Sequence, residues 1–560
     1  MQEEQELPKG WEVAKLDIIM TPVRGIAFPK EVKAHAPAEG YLACLRTTNV
    51  QKKVEWDDLW FVPKKFAKRE DQLIKHLDIL ISTANSYELV GKVAQVHEIP
   101  YPSTLGAFIS LLRVKSPFDA KFYYHYLSSS TVQESIRAFA STTTNLSNVS
   151  TGKLATLDVI VPPLPEQRRI VAKLEELFSR LDAGVAAVRQ SQQLLKRYRQ
   201  SVLHAAVTGA LTSAWRTAHP APAETGAALL ARIRAERRAQ WEAAQQAKNG
   251  GQLPLNGAWK NKYQEPAAVD TTELPELPEG WVWASMRELG EVRLGRQRAP
   301  QHHDGPYMRP YLRVANVYED RFDLRDVKEM NFTPEEYEIY SLRENDILLN
   351  EGQSLELVGR PALYRNEVPG ACFTNTLVRY RVCQQLLPKY ALSVFRSYLH
   401  TGTFQKIASW TTSIAHLGAD RFANLHFPLA PLAEQAEIVA EAERRLSTID
   451  ALELTLAAEL KRAERLRQSL LHRAFTGRLV PQDATDEPAG ELLGRLTPQP
   501  PLQKRGGAKA AAAAGAAEAP AAGEGKRRGR PRKVAAAADG AAPEVAEAPL
   551  PVGTQTTLGF

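Results

Sequence analysis

PPLPEQRRIVAKLEELFSRLD, Pro162 to Asp182, decides the fold. Its two leading prolines end an alternating run, Leu157, Val159 and Val161, which reads as a strand. The apolar period then changes from two to alternating threes and fours. Ile170, Leu174, Leu177, Leu181, Val188, Gln192, Leu195, Arg199 and Val202 form a mostly apolar seam along one helix face. Pro165 suits the first turn of this helix, and Gly209 after Thr208 suits its stop. A helix from Glu166 to Gly209 would run roughly 66 Å at about 1.5 Å per residue.

The same stretch returns as APLAEQAEIVAEAERRLSTID, Ala430 to Asp450. Its seam is Ile438, Ala442, Ile449, Leu452, Leu456, Leu460, Ala463, Leu466 and Leu470, and it stops at Thr476 and Gly477. Other landmarks recur in the same order. LPKGW (Leu7 to Trp11) returns as LPEGW (Leu277 to Trp281), and YLACLRTTNV (Tyr41 to Val50) as YLRVANV (Tyr311 to Val317). LDILISTANSYELVGKVAQV (Leu77 to Val96) returns as NDILLNEGQSLELVGRPALY (Asn345 to Tyr364), and SVLHAAVTG (Ser201 to Gly209) as SLLHRAFTG (Ser469 to Gly477). The period far exceeds the roughly 20 to 50 residues of a solenoid repeat, so whole domains are duplicated.

The organisation expected is a mixed α/β domain at 1–164, a spacer helix at 165–212, and a linker at 213–276 with one helix near Glu224 to Lys248. A second α/β domain at 277–431 and a second spacer helix at 432–480 follow. Ala/Pro/Gly-rich sequence at 481–560 is too poor in apolar residues to fold. Each seam needs a partner. The other half supplies an equivalent one, which predicts an intramolecular antiparallel coiled coil with pseudo-twofold symmetry; the alternative is that each helix packs on its own domain.

At 560 residues and 44% hydrophobic content, each half is large enough to bury a core. No apolar run is long enough to span a bilayer, and the start, MQEEQEL, is acidic where a signal peptide would be basic, so no membrane association and a cytoplasmic location are expected. Cys44, Cys372 and Cys383 have neither disulfide nor zinc spacing. The net charge of +7 leans towards a polyanion.

Catalytic patterns are missing from the sequence. There is no GxxxxGK[ST] loop for a nucleotide and no NPPY-type platform or glycine-rich turn for base methylation. Asp320, Asp326 and Lys328 are best taken as a solvated loop, and His302 beside His303 as loop residues.

With the paired motifs on the page, the chain resembles the DNA-specificity subunit of type I restriction-modification systems from Leu7 to about Val480. The resemblance implies that each α/β domain is a target-recognition domain and that the long helices are spacers. It further implies no catalysis and no cofactor in this chain. Two modification subunits that bind S-adenosylmethionine would dock on it, and restriction subunits that use ATP and Mg²⁺ would join for cleavage. The alternative function is a coiled-coil protein-interaction scaffold with duplicated domains.

Two heads on a rod suit a split, asymmetric site in double-stranded DNA, with half-sites roughly one helical turn, about 34 Å, apart. Candidate DNA-contacting residues lie where the copies diverge or carry polar side chains. In the first copy they are Arg46, Asn49, Ser82, Asn85, Ser86, Lys92, Thr142, Thr143, Thr144 and Asn145. In the second they are Arg313, Asn316, Asn350, Gln353, Ser354, Arg360, Trp410, Thr411, Thr412 and Ser413. The competing role for each is turn chemistry.

Two motifs mark the C-terminal region. KRRGRPRK, Lys526 to Lys533, resembles an AT-hook, in which Arg528, Gly529, Arg530, Pro531 and Arg532 would lie in a narrow minor groove. QTTLGF resembles the peptide that docks on the replication sliding clamp, with Gln555, Leu558 and Phe560 as its anchors.

Overall fold

A computed structural model describes residues 7–143, 146–220, 222–248, 258–411 and 413–496. The two heads repeat one topology. In the first, a four-stranded antiparallel sheet runs Met20–Arg24, Ile109–Val114, Ile79–Ser82, Val93–Gln95. In the second, the same order is Gly290–Leu294, Leu377–Val382, Ile347–Asn350, Pro361–Leu363. A three-stranded sheet accompanies each, built on Tyr41–Leu45 and on Met308–Leu312. The aspartate of each DIL motif is buried below these sheets. Asp78 takes Nε and Nη2 of Arg113 at 2.9 and 2.6 Å, and Asp346 takes those of Arg381 at 2.7 and 2.8 Å. A forked, doubly hydrogen-bonded pair of this kind fixes one strand against its neighbour.

The expected strand before the prolines is present as Asp158–Val161, antiparallel to Glu12–Lys15, and His426–Leu429 pairs Val282–Ser285 in the second head. From each of these strands a 44-residue helix departs, Leu164–Val207 and Leu432–Phe475. The two helices pack antiparallel. Val202, Leu203, Leu446 and Ile449 form one buried cluster between them, and Leu174, Phe178, Leu471 and Ala474 share the core of the first head at the other end. Two polar clamps obey the pseudo-twofold: Arg199 Nη2 binds Asp450 at 2.6 Å, and its counterpart Arg467 binds Asp182. The second seam departs from the expectation at two positions, while Ile438, Ala442, Ile449, Leu456, Leu460, Ala463 and Leu470 are buried or half-buried. Leu452 and Leu466 face solvent at 47% and 48% exposure, and half-buried Glu453 and Arg467 take their places. The arginines explain the shift, since a seam position occupied by Arg467 keeps both its ion pair and its seat over the Phe178 ring, 4.2 Å away.

Three repeated motifs meet at one junction in each head. The tryptophan of LPxGW donates its indole N–H to the glutamate of the EQ pair: Trp11 to Glu166 at 2.9 Å, and Trp281 to Glu434 at 2.7 Å. Both carboxylates are buried. The glutamine beside each glutamate, Gln167 or Gln435, accepts from a head backbone N–H, Asp119 or Leu387, and donates to Pro162 or Ala430. The third motif comes from the other half. Gly209 abuts Pro278, and Gly477 abuts Pro8; a Cβ on either glycine would sit 2.4 Å from the proline ring. Both glycines have left-handed φ, 71° and 67°, so the TG stops are required by backbone and by packing.

The chain closes further than the composition predicts. Residues beyond Val480 were expected to remain unfolded, but Ala489–Leu496 is a helix whose Ala489 and Leu492 enter the core of the first head. Ala489 N–H donates to Gly10 at 2.9 Å, and Arg169 forks onto Asp486. The linker helix, Gly226–Lys248, does the same for the second head, with Gly226 N–H on Gly280 at 2.7 Å and Leu229 buried. The physical reason is a short amphipathic repeat, GAALLARI against AGELLGRL, whose apolar side fills the gap beside each LPxGW strand.

This cross-closure makes an unusual demand on stability. Leu492→Ala should loosen the first head and Leu229→Ala the second, each by about 2–5 kcal/mol, although Leu492 follows the second head in the chain. Hydrogen exchange of the two heads checks this; protection lost from the second head in Leu492→Ala, or from the first in Leu229→Ala, would contradict the packing.

Candidate nucleic-acid interface

The polar loops separated in sequence come together in a three-stranded ribbon on each head. In the first, Ala84–Asn85 pairs Leu146–Asn148, which pairs Ser141–Thr143. In the second, Gly352–Gln353 pairs Ala415–His416, which pairs Ser409–Trp410. The frames superpose position for position, with Asn85 facing Ser147 as Gln353 faces Ala415. The side chains differ: Asn85 against Gln353, Thr142 against Trp410, Asn148 against His416.

Local hydrogen bonds brace the described residues of each ribbon. Asn85 Oδ1 and Gln353 Oε1 each accept the N–H of the following serine, Ser86 or Ser354, at 2.9 and 3.0 Å. Thr142 Oγ1 lies 3.0 Å from Ser147 Oγ, and Thr143 Oγ1 donates to Leu146 O at 3.1 Å. In the second ribbon Thr411 closes the turn through its N–H and its hydroxyl, both onto Ile414 O. Thr142, Thr143, Trp410, Thr411 and Ser413 are exposed. Thr144, Asn145 and Thr412 lie outside the described residues, as do the AT-hook-like Arg528 to Arg532 and the clamp-like Gln555 to Phe560.

Cations flank each ribbon at matching positions. Lys92 reaches Gln51 in the first head, and its counterpart Arg360 stacks 4.6 Å over the Tyr318 ring. Exposed Lys153 and Arg421 stand at the ribbon feet, and Arg421 Nη2 donates to Ser409 Oγ and to His416 O, each at 2.8 Å. Neither basic residue at the feet was singled out in the sequence; the signal was available as the position five residues beyond the strands Leu146–Asn148 and Ala415–His416, basic in both copies.

Four sequence candidates belong to the scaffold instead. Asn49 and Asn316, each 2% exposed, accept from the backbone N–H of Arg46 and Arg313 and donate to loop carbonyls. They lock the loop after the strand and cannot reach a base edge. Ser82 and Asn350 are buried beneath the ribbon roots. Arg46 and Arg313 bind Asp58 and Asp326, so they are engaged yet lie near the surface. Asp320 is held by Arg365 at 2.7 Å, apart from the Arg313 and Asp326 pair, and His302 is held by Arg296 at 2.9 Å. Among the described residues no group of histidine, cysteine or carboxylate side chains suits a metal ion, and no helix is long and apolar enough to cross a membrane.

A two-stranded ribbon, such as the outer hairpin of each head, fits the roughly 12 Å major groove of B-form DNA. Hydroxyl and amide side chains can both donate and accept, as base edges require, and flanking cations match phosphates. The division between scaffold and surface is measurable by chemical denaturation. Asn316→Ala should cost about 1–3 kcal/mol by leaving buried groups unpaired, while Gln353→Ala should stay within about 0.5 kcal/mol. Equal losses would undo the division.

Comparison with known proteins agrees with these features. The description "Type I restriction modification DNA specificity domain" matches residues 8–187. The type I restriction enzyme EcoKI specificity subunit of Escherichia coli K12 is 27% identical over 487 residues, covering 86% of this chain and 92% of that protein. The StySPI specificity subunit of Salmonella potsdam is 27% identical over 491 residues, with 86% and 92% covered. A solved chain from work on complex assembly and conformational transition of the type I R-M system shares the fold, with a TM-score of 0.56 and 18% identity over 84% of this chain and 99% of that one.

Proposed function

The chain belongs to the family of DNA-specificity subunits of type I restriction-modification systems, and from that premise we propose that its two ribbons read the two halves of a bipartite, asymmetric sequence in double-stranded DNA. The observation that carries the proposal is the pairing of like frames with unlike side chains. Two ribbons with the same backbone register and flanking cations would dock on DNA in the same way, while Asn85, Thr142 and Asn148 would select different bases from Gln353, Trp410 and His416. The chain itself performs no catalysis in this account. It delivers two modification subunits, which carry S-adenosylmethionine and methylate adenine, to its site. Restriction subunits, using ATP and Mg²⁺, would join that complex.

The helix pair is the proposed docking rail for the modification subunits. Its outward faces carry Leu194, Tyr198, Leu452, Leu454 and Leu466 at 46–75% exposure, apolar surface that neither head covers. Tyr198 and Leu466 occupy equivalent positions of the two copies, as two like partners would require.

Exchange of ribbons tests the reading. Replacing 352–354 and 409–416 with their counterparts 84–86 and 141–148 should turn the methylated sequence into one whose two half-sites are alike, read by single-molecule sequencing of the DNA. An unchanged methylated sequence would remove the ribbons as readers.

The C-terminal motifs add two further parts to the proposal. Arg528 to Arg532 would strengthen general adherence to DNA, and Gln555, Leu558 and Phe560 would tether the complex to the sliding clamp. Deleting Lys526 to Lys533 should flatten the salt dependence of DNA binding without altering the methylated sequence. A Gln555–Phe560 peptide that gives no fluorescence-anisotropy change with the clamp would dispose of the tether.

A further inference from the structure

We propose that Trp410 is a stacking wedge, entering the base stack of the half-site that the second ribbon reads; the inference rests on the DNA-reading assignment above. Of the nine tryptophans, Trp410 alone is exposed, at 60%. Trp11 and Trp281 are locked to glutamates, Trp60 lies under Lys33 and Arg46, and Trp241 stacks on Trp259. The Trp410 indole has no ring, cation or hydrogen-bond contact with another described residue.

Its setting specifies the occupant. Trp410 ends the outer strand, and Ile414, 46% exposed, lies across the same turn, so the tip is apolar. The surrounding ribbon is polar and flanked by basic residues: Gln353, Thr411, Ser413, Arg360 and Arg421. A planar apolar tip within such a surface matches the two chemistries of a nucleic acid, π faces of bases inside and phosphates outside. A protein groove would ask for an apolar patch wider than one turn. The tip is also aimed in advance. The double closure of Thr411 on Ile414 O, with Arg421 pinning Ser409 and His416, braces the strand that carries Trp410 before binding.

The first ribbon supplies an internal control. Thr142 and Leu146 stand where Trp410 and Ile414 stand, so that head carries no aromatic wedge at its hairpin. Only one half-site should therefore be unstacked, at a step that deforms easily, such as a pyrimidine–purine step.

The experiment uses the full chain with its modification subunits on a duplex carrying the methylated sequence, with 2-aminopurine placed in turn at each position of both half-sites except the methylated adenines, which a base methyltransferase itself extrudes. The expected result is a several-fold fluorescence rise at one step, in the half-site that ribbon exchange assigns to the second head. Trp410→Ala should abolish the rise and weaken duplex binding about ten- to a hundredfold, and Trp410→Phe should keep most of both. The thermal unfolding of Trp410→Ala should match that of the unaltered chain, since the indole is exposed. The wedge is overturned if the unaltered complex binds its sequence without any fluorescence rise. It is equally overturned if Trp410→Ala binds and fluoresces as before, or loses only its hold on the modification subunits. Binding without sequence preference by the unaltered complex would overturn the reading assignment itself, together with the wedge.

Discussion

The buried hydrogen bond between an LPxGW tryptophan and an EQ glutamate, made once in each head, is the constraint on which the rest depends. It fixes the direction in which a 44-residue helix leaves its head. Burial raises the Glu166 carboxyl above the usual carboxylate range, and the indole of Trp11 and the guanidinium of Arg169 offset that shift only in part. A carboxylate placed there is costly unless every partner is present, so the departure angle admits little variation. Glu434 is joined in addition by Thr212 at 2.8 Å and by Arg216, both from the short helical turns that follow the other helix, Ala210–Thr212 and Ser213–Ala218. Each junction thus binds the start of one helix to the finish of its partner.

From that arrangement the remainder follows. Helices anchored at both ends to different heads must run antiparallel, and their seam then brings Arg199 to Asp450 and Arg467 to Asp182. The half-buried middle of the rod contributes less burial than its ends, where Phe178, Leu471 and Ala474 belong to a head core. Stability is concentrated at the junctions, and outward-facing apolar side chains are left along the rod. The heads keep an identical scaffold under the ribbons, because the DIL aspartates and the turn asparagines hold both copies in the same frame. In the ribbons, divergence of side chains thereby changes chemistry without changing the pairing register, while elsewhere the second head adds the hairpin Val317–Tyr318 with Arg321–Phe322 and the helix Pro334–Tyr340.

Much of this was legible in the residues. A change of apolar period after proline located the start of both helices to within two residues, although they end at Val207 and Phe475, short of the expected 212 and 480, and the repeated blocks defined two like heads. Polar loops that diverge between copies did mark the ribbons. Other features depended on three-dimensional closure. Asn49 and Asn316 had the composition of contact residues, but they satisfy backbone groups that only the folded loop brings near. Ser82 and Asn350 were misplaced for another reason: each ends a buried strand beneath the ribbon, and a strand end and a ribbon root look alike in sequence. The helix Ala489–Leu496 was hidden by its short length and by the alanine-rich composition that begins soon after it. Leu452 and Leu466 fitted an apolar period better than Glu453 and Arg467, and an ion pair across the seam outweighed hydrophobicity.

The central claim is that a duplicated frame with diverged ribbons directs methylation to a split, asymmetric sequence. Single-molecule sequencing of genomic DNA from cells carrying and lacking this gene tests it most directly. The account predicts methylated adenines in one bipartite motif, two unlike half-sites separated by a gap of fixed length, present only when the gene is present. Identical methylation in the two cells, in the presence of active modification subunits, or a continuous palindromic motif, would contradict it.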